Sequence, residues 1–250
     1  MSNIIITGAG TGMGLSMTKK FLANDWHVIM AARNAAKAEK VYQELQDQYG
    51  DQVAMYQVDV SNGQAVAKFA EQVNTQYDQV DTVINNAGIF TGSLLHELSE
   101  EARDKTMAVD VKSIFLMTKA FVTGMMARHA GNIINISSVA GLLGDYNMPA
   151  YNAAKGAGTN LVRSMALDYG QYGIRVNNIN PGATNTPMFQ GNSEEVKAAY
   201  RNGSPLKRIA EPEEIANVAY FLVSDQASAI TGQNVGASMG YGIWTGQPKQ

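Results

Sequence analysis

Tyr151-Asn152-Ala153-Ala154-Lys155 sets a phenol and an amine four residues apart, on one face if the segment is helical. A free phenol titrates at about pH 10 and is a poor base at neutrality, but an ammonium one turn away favours the phenolate. Such a pair can exchange a proton with a substrate oxygen. Taken alone, the spacing also suits a surface Tyr beside a surface Lys. Upstream, the apolar run Asn132–Ile136 leads into Ser137 and Ser138, hydroxyls at the position where a strand would end. None of the three His, at 27, 96 and 129, is placed to activate them, so hydrogen bonding suits these hydroxyls better than nucleophilic attack. The chain has no Cys, which excludes disulfides, thiolate nucleophiles and Cys-based zinc or iron–sulfur sites. With the His dispersed as well, no metal is expected.

A second chemical feature lies near the start. Thr7-Gly8-Ala9-Gly10-Thr11-Gly12-Met13-Gly14 follows one apolar run and opens a segment with Leu15, Thr18, Phe21 and Leu22 on a shared helical face. Glycines there allow a tight turn and let a pyrophosphate approach a helix N-terminus, where free N–H groups and the helix dipole favour an anion. A tight strand-to-helix connection is the plainer reading of any Gly-rich turn; the position between strand and helix speaks for phosphate. The spacing is longer than the six-residue dinucleotide fingerprint, with Gly8, Gly12 and Gly14 bracketing the loop. The next apolar run ends Ala31-Ala32-Arg33-Asn34. Where a carboxylate would hydrogen-bond the ribose 2′-hydroxyl of NAD, this chain has Ala32 and then Arg33, whose guanidinium suits a 2′-phosphate. NADP is therefore the expected cofactor. NAD is the alternative, since Thr11 adds no second positive charge and Arg33 also suits a solvated strand end.

The elements that must carry these groups can be read from the apolar pattern. Short runs rich in Ile and Val recur at Asn3–Thr7, His27–Ala31, Val53–Val58, Thr82–Asn85, Asn132–Ile136 and Ile174–Asn180, as strands buried on both faces do. Helical patterns fill the intervals, including Val66, Phe69, Ala70 and Val73 and the proline-free stretches Glu100–Arg128 and Tyr151–Tyr172. Such alternation predicts an α/β fold, a doubly wound parallel sheet forming one domain over 1–250. At 45% hydrophobic and 16% charged, the 250 residues can bury a sizeable core. A net charge of −3 gives no footprint for nucleic acid or an anionic membrane. No run approaches the roughly 20 apolar residues of a membrane span, and the opening MSNIIITGAG lacks the pattern of a signal peptide. A cytoplasmic protein is expected.

Together these residues resemble the short-chain dehydrogenase/reductase family, from Asn3 to Gln233. The resemblance rests on Thr7–Gly14, Asp59-Val60, Asn85-Asn86-Ala87-Gly88, Ser138, Tyr151–Lys155, and Pro181-Gly182 followed by Thr184 and Thr186. It implies that Asp59 and Val60 border the adenine and that Asn86, Ala87 and Gly88 support the cofactor. Lys155 would hold the nicotinamide ribose and activate Tyr151, which exchanges the proton while Ser138 hydrogen-bonds the substrate oxygen. Pro181, Gly182, Thr184 and Thr186 would line the nicotinamide, and hydride would pass between nicotinamide and a ketone or secondary alcohol. A homotetramer is implied as well.

The chain departs from the family pattern in two places. The family commonly has Asn where this chain has Asp110, within Ala108-Val109-Asp110-Val111-Lys112. An ionised Asp only accepts hydrogen bonds; it could still hold a water and would stabilise the Lys155 ammonium, with activity kept and the pH profile altered. After Ile230-Thr231-Gly232-Gln233 the usual acidic residue is replaced by Ser238, which bears on the tetramer contact. The substrate is expected under a lid at about 185–210, with a short helix near Ser193–Tyr200. Leu142, Leu143, Tyr146, Asn147, Met148, Met188 and Phe189 are expected to wall the pocket. That largely apolar set favours a neutral ketone or alcohol, reduced or oxidised by a carbonyl reductase or alcohol dehydrogenase. A 3-oxoacyl-[acyl-carrier-protein] reductase is the alternative, with Arg128 and His129 as the basic rim but uncharged Asn132 and Tyr172. A cofactor-sensing protein without turnover ranks third, against the intact Ser138, Tyr151 and Lys155.

Overall fold

The computed structural model describes residues 1–243; positions 244–250 of the expected domain lie outside them. The apolar runs form strands β1 (Asn3–Thr7), β2 (His27–Ala32), β3 (Val53–Gln57), β4 (Thr82–Asn85), β5 (Gly131–Ile136) and β6 (Ile174–Pro181). A seventh, β7 (Asn234–Ala237), follows Ile230–Gln233. All pair in parallel in the order β3-β2-β1-β4-β5-β6-β7. This is the doubly wound α/β sheet expected from the sequence.

Alternation along each strand feeds two separate cores. Ile4 and Ile6 of β1 pack with Met17 and Phe21 of α1 (Gly12–Leu22), Leu45 of α2 (Ala35–Tyr49) and Ile215 and Leu222 of a late helix, Pro212–Val223. Ile5, between them, faces Phe69 and Val73 of α3 (Gly63–Gln76) and Met117 and Phe121 of the helix Ser113–Arg128. With both faces covered, the strands read as unbroken apolar runs and not as alternating ones.

A polar ladder crosses the second half of the sheet. Asn85, Asn135, Asn178 and Asn234 stand in register on β4 to β7. Asn85 donates to Asn135 (2.8 Å), Asn135 to Asn178 (3.0 Å) and Asn178 to Asn234 (2.8 Å). A one-residue slip of any strand would turn its Asn to the opposite face, so the ladder pins the register of the strands that carry the site.

The stretch Glu100–Arg128 is not one regular helix. α4 (Glu100–Met107) passes through a π-helical turn, Ala108–Lys112, into α5 (Ser113–Arg128). The Ser113 hydroxyl donates to the Val109 carbonyl at this turn, and the buried Asp110 sits within it. The next helix, α6, runs Pro149–Tyr169, starting on a proline whose fixed φ suits a first turn, and ends in a short 3₁₀ turn at Gly170–Tyr172. α7 (Pro187–Gln190), α8 (Glu194–Gly203) and α9 (Pro212–Val223) complete the order. No helix among the described residues is long and apolar enough to cross a membrane, and none of their His, Asp or Glu cluster as metal ligands.

Candidate active site

The strand order reverses between β1 and β4, and a cleft opens beyond the C-terminal ends of β1 to β4, where such sheets bind ligands. Its floor is the loop after β1. Gly8 takes a positive φ of 66°, and its N–H donates to the Ala31 carbonyl (2.8 Å). The Thr7 hydroxyl accepts from the backbone N–H groups of Asn86 and Ala87, both at 2.9 Å, while the Asn86 carboxamide donates to the Thr7 carbonyl. The loops after β1 and β4 are thus bolted together. Gly8, Thr11, Gly12 and Met13 line the cleft with Arg33, Asp59, Val60, Asn86, Ala87, Gly88 and Thr186. Gly12 also has a positive φ, and no acidic side chain stands in the first turn of α1. Close backbone at a helix start free of carboxylates suits a pyrophosphate.

The other loop glycines have different reasons for being small. A Cβ on Gly10 would meet the Ala38 Cβ at 2.8 Å, so Gly10 lets α2 pack close. A Cβ on Gly14 would lie 2.2 Å from the Gly8 carbonyl oxygen, so Gly14 lets the turn close on itself. Asn34 caps α2, its side chain accepting from the Lys37 N–H (3.1 Å), and does not line the cleft. The Asp59 carboxyl is held below its usual range, chiefly by the Ser61 hydroxyl (2.6 Å), with Arg33 and Lys112 adding to the effect.

Helix α6 brings the phenol and amine together as the spacing predicts, with the Lys155 Nζ 5.4 Å from the centre of the Tyr151 ring. Lys155 is buried. Its ammonium donates to the Ile136 carbonyl (3.1 Å) and pairs with the Asp110 carboxylate at 3.1 Å. Desolvation alone would push the amine down, but Tyr151 and Asp110 outweigh it, and Lys155 is held above its ordinary value. The other Asp110 oxygen accepts from the Ile89 N–H (2.9 Å), tying the π-helical turn to the loop after β4. A Cβ on Gly88 would lie 3.0 Å from the Asp110 Oδ2, so this glycine makes room for the ion pair. Ser138 follows β5. Its hydroxyl oxygen accepts from the Ala140 N–H (3.1 Å), and its carbonyl accepts from Asn180 (2.9 Å).

Ser138 and Tyr151 line a second cavity with Pro181, Gly182 and Thr184. It meets the first at Met13, Thr186 and Met188, which wall both. Of the pocket wall expected from sequence, Met148, Met188 and Phe189 line this cavity and Leu142, Leu143, Tyr146 and Asn147 do not. Tyr146 is 94% exposed, Leu142 borders a separate surface groove, and Leu143 lies by Gly242 near the end of the described chain. The cavity is completed by Phe90, Asp145, Asn192 and Tyr200, which carry no local motif. Residues 185–210 arch over it through α7 and α8, with the ends joined by Asn185 N–H to Ala210 carbonyl (2.8 Å) and Ala210 N–H to Ala183 carbonyl (3.0 Å). Arg128 and His129 are not at its rim. They precede β5, roughly 17 Å of strand away from Ser138. The Arg128 guanidinium is occupied by the carbonyls of Val80 and Gly124.

Comparison with known proteins agrees with this fold. The family model described as enoyl-(acyl carrier protein) reductase matches residues 8–242. The meso-2,3-butanediol dehydrogenase of Serratia marcescens is 36% identical over 98% of this chain and 96% of its own. A 3-oxoacyl-[acyl-carrier-protein] reductase of Chlamydia muridarum is also 36% identical, over 92% of each chain. The solved structure of ElxO with NADP bound superposes with a TM-score of 0.91 at 26% identity, over 97% of this chain and 99% of that one. The chain belongs to the short-chain dehydrogenase/reductase family, whose members bind a nicotinamide cofactor, and is an oxidoreductase acting between alcohols and their carbonyl compounds.

Proposed function

We propose that the chain is an NADP-linked reductase or dehydrogenase of neutral ketones and secondary alcohols, with Ser138, Tyr151 and Lys155 as its catalytic residues and Asp110 supporting them. One observation carries the reading: a Gly-floored cleft and a cavity lined by Ser138 and Tyr151 meet at Met13, Thr186 and Met188. One cavity suits a dinucleotide and the other the group it reduces.

The residues present fit such a cofactor. Gly8 and Gly12 offer bare backbone for the pyrophosphate, Asp59 and Val60 stand where an adenine would lie, and Thr186 stands between the cavities. Arg33 lines the cleft beyond Ala32 with no carboxylate at that strand end, which supports NADP over NAD. When bound, the reduced nicotinamide supplies the hydride for the carbonyl carbon.

The chain's own groups handle the oxygen. The Ser138 hydroxyl already accepts from Ala140, which leaves its O–H to donate to the substrate oxygen. Tyr151 delivers or takes the proton at that oxygen. Lys155, with one N–H donated to Ile136 and its charge paired with Asp110, keeps N–H for the nicotinamide ribose. The Asp110 carboxylate keeps the ammonium charged. Residues 185–210 act as the lid over the substrate.

Relatives acting as 3-oxoacyl-[acyl-carrier-protein] reductases favour a second reading. An acidic carrier protein needs basic residues beside the cavity. Arg128 and His129 stand at the far end of β5, which supports the small-ketone reading. A cytoplasmic homotetramer is the proposed form, supported by exposed Phe115 on α5 and Leu167 on α6. Cofactor consumption measured with NADPH and NADH over ketones, diketones, steroids and 3-oxoacyl thioesters tests these readings together. NADPH turnover of simple ketones is expected. NADH preference would overturn the role of Arg33, and activity confined to thioesters would promote the second reading.

A further inference from the structure

The charge in the substrate cavity was invisible to the apolar reading of its walls. Asp145 lines the cavity with Ser138 and Tyr151, and among the described residues no Lys, Arg or His shares the lining. Its carboxylate has no hydrogen bond and no ion pair with any described residue. Half-buried, the carboxyl is raised above its ordinary range by desolvation alone, as expected for a charge taken out of water with no cation against it. Its neighbours are aromatic. Tyr200 lines the same cavity from α8, its ring 5.6 Å from Phe189 and 5.6 Å from Tyr241. Burial raises the phenols of Tyr200 and Tyr241, and the Asp145 carboxylate adds to both shifts.

We propose that Asp145 is a specificity residue: the substrate whose carbonyl is held at Ser138 and Tyr151 carries a hydrogen-bond donor, a hydroxyl or an ammonium, that Asp145 receives, and it carries no anionic group there. A half-buried acceptor without a protein partner favours a ligand that brings it a donor over an isostere that does not. A substrate carboxylate would meet a second negative charge with no cation in reach. The Tyr200 and Phe189 rings give the donor arm an apolar wall and accept an ammonium over their faces. This deepens the proposed function, since it rests on Ser138 and Tyr151 holding the reacting carbonyl.

The test is a matched series of methyl ketones ending in methyl, hydroxyl, ammonium or carboxylate, with two to five carbons between the carbonyl and the end group. Each is assayed for kcat/KM with the wild type, Asp145→Asn and Asp145→Leu. At the best chain length the wild type is expected to favour the hydroxyl or the ammonium over the methyl end by about 10–100-fold, the range for a hydrogen bond to a charged group. The carboxylate end should be its worst substrate. In Asp145→Leu the donor-to-methyl ratio should fall to about 1, and in Asp145→Asn, which keeps the shape, the ammonium advantage and the carboxylate penalty should both disappear. Equal wild-type rates for methyl and donor ends, a preference for the carboxylate end, or ratios unchanged in both variants would overturn the proposal. If no ketone is turned over, the proposed function fails on its own. Calorimetric binding of the same compounds then decides the role of Asp145, with equal affinity for donor and methyl ends counting against it.

Discussion

Replacing Asp110 with Asn removes one buried charge and little else. The side chain keeps its shape, and its carbonyl oxygen can still accept from the Ile89 N–H. What changes is the partner of the Lys155 ammonium, 3.1 Å away, where both side chains are nearly or fully buried. At that distance and an effective dielectric of about 20, the gross attraction is about 5 kcal/mol, much of it offset by the desolvation of both ions. The single amide oxygen can serve the Ile89 N–H or the ammonium but not both, so Asp110→Asn should lose about 1–3 kcal/mol, and Asp110→Ala, which strands the ammonium, about 3–5 kcal/mol. In a chain of this size those losses correspond to melting points lower by about 2–12 °C and about 6–20 °C. Against desolvation, Tyr151 and then Asp110 raise the Lys155 value, so the pair's stabilisation is complete below the unfolded lysine value of about 10.4 and fades only as pH climbs through the raised one. The melting deficit should therefore be constant across the neutral range and shrink only in strong alkali. The alkaline limb of kcat/KM should shift to lower pH, because Lys155 loses its charge more readily. Melting curves and rate profiles for the two variants check both. An Asp110→Asn protein that melts with the wild type and keeps the same alkaline limb would refute the reasoning.

Three further outcomes follow from other contacts. Arg33→Asp should cut kcat/KM for NADPH by about 10–100-fold and spare NADH, since it removes a charge-assisted contact from the cleft and adds a repulsive carboxylate; parallel kinetics with both cofactors show it. Asn135→Leu breaks two links of the ladder and leaves the Asn85 donor and the Asn178 acceptor unpaired in the core, a loss of about 2–6 kcal/mol; denaturant unfolding with a midpoint equal to wild type would count against it. Glu214 is pulled down to about 2, first by its bidentate hydrogen bonds to Arg208 and then by the Glu211 N–H. Its depressed value means that the stabilisation is present above the unfolded value of about 4.3 and lost as pH falls toward the folded one. Glu214→Gln should therefore lower the melting point at neutral pH, with the gap to wild type closing in acid.

What the sequence made legible depended on whether the signal was local. β1 to β6 announced themselves because strands covered on both faces become unbroken Ile/Val runs, and Tyr151 and Lys155 because helical spacing alone puts them on one face. The loop after β1 was visible as a run of glycines, but not the separate reasons for them: Gly10 answers to Ala38, and Gly14 to the Gly8 carbonyl. The Asn ladder needs the register of four strands and leaves no trace along the chain. Asp110 was identified, yet the π-helical turn that holds it was read as plain helix, because Glu100–Arg128 has no proline to mark a break. The pocket wall was the least legible. Leu142, Leu143 and Tyr146 looked like pocket residues because they lie between Ser138 and Tyr151, but the loop turns them outward. Asp145 beside them turns inward, and a single acid in a loop has no periodicity to mark it. Arg128 and His129 were expected as a basic rim, but they stand at the N-terminal end of β5, and the cavity lies beyond its other end.

The central claim is that Tyr151 moves the proton while the cleft beside it holds NADPH. Its most direct measurement is a ketone reduction assay with wild type and Tyr151→Phe, run beside equilibrium binding of NADPH to both. Turnover should fall by about 10²–10⁴-fold, the usual contribution of a positioned acid, while NADPH affinity stays within a few-fold. A Tyr151→Phe protein that reduces ketones at the wild-type rate would contradict it.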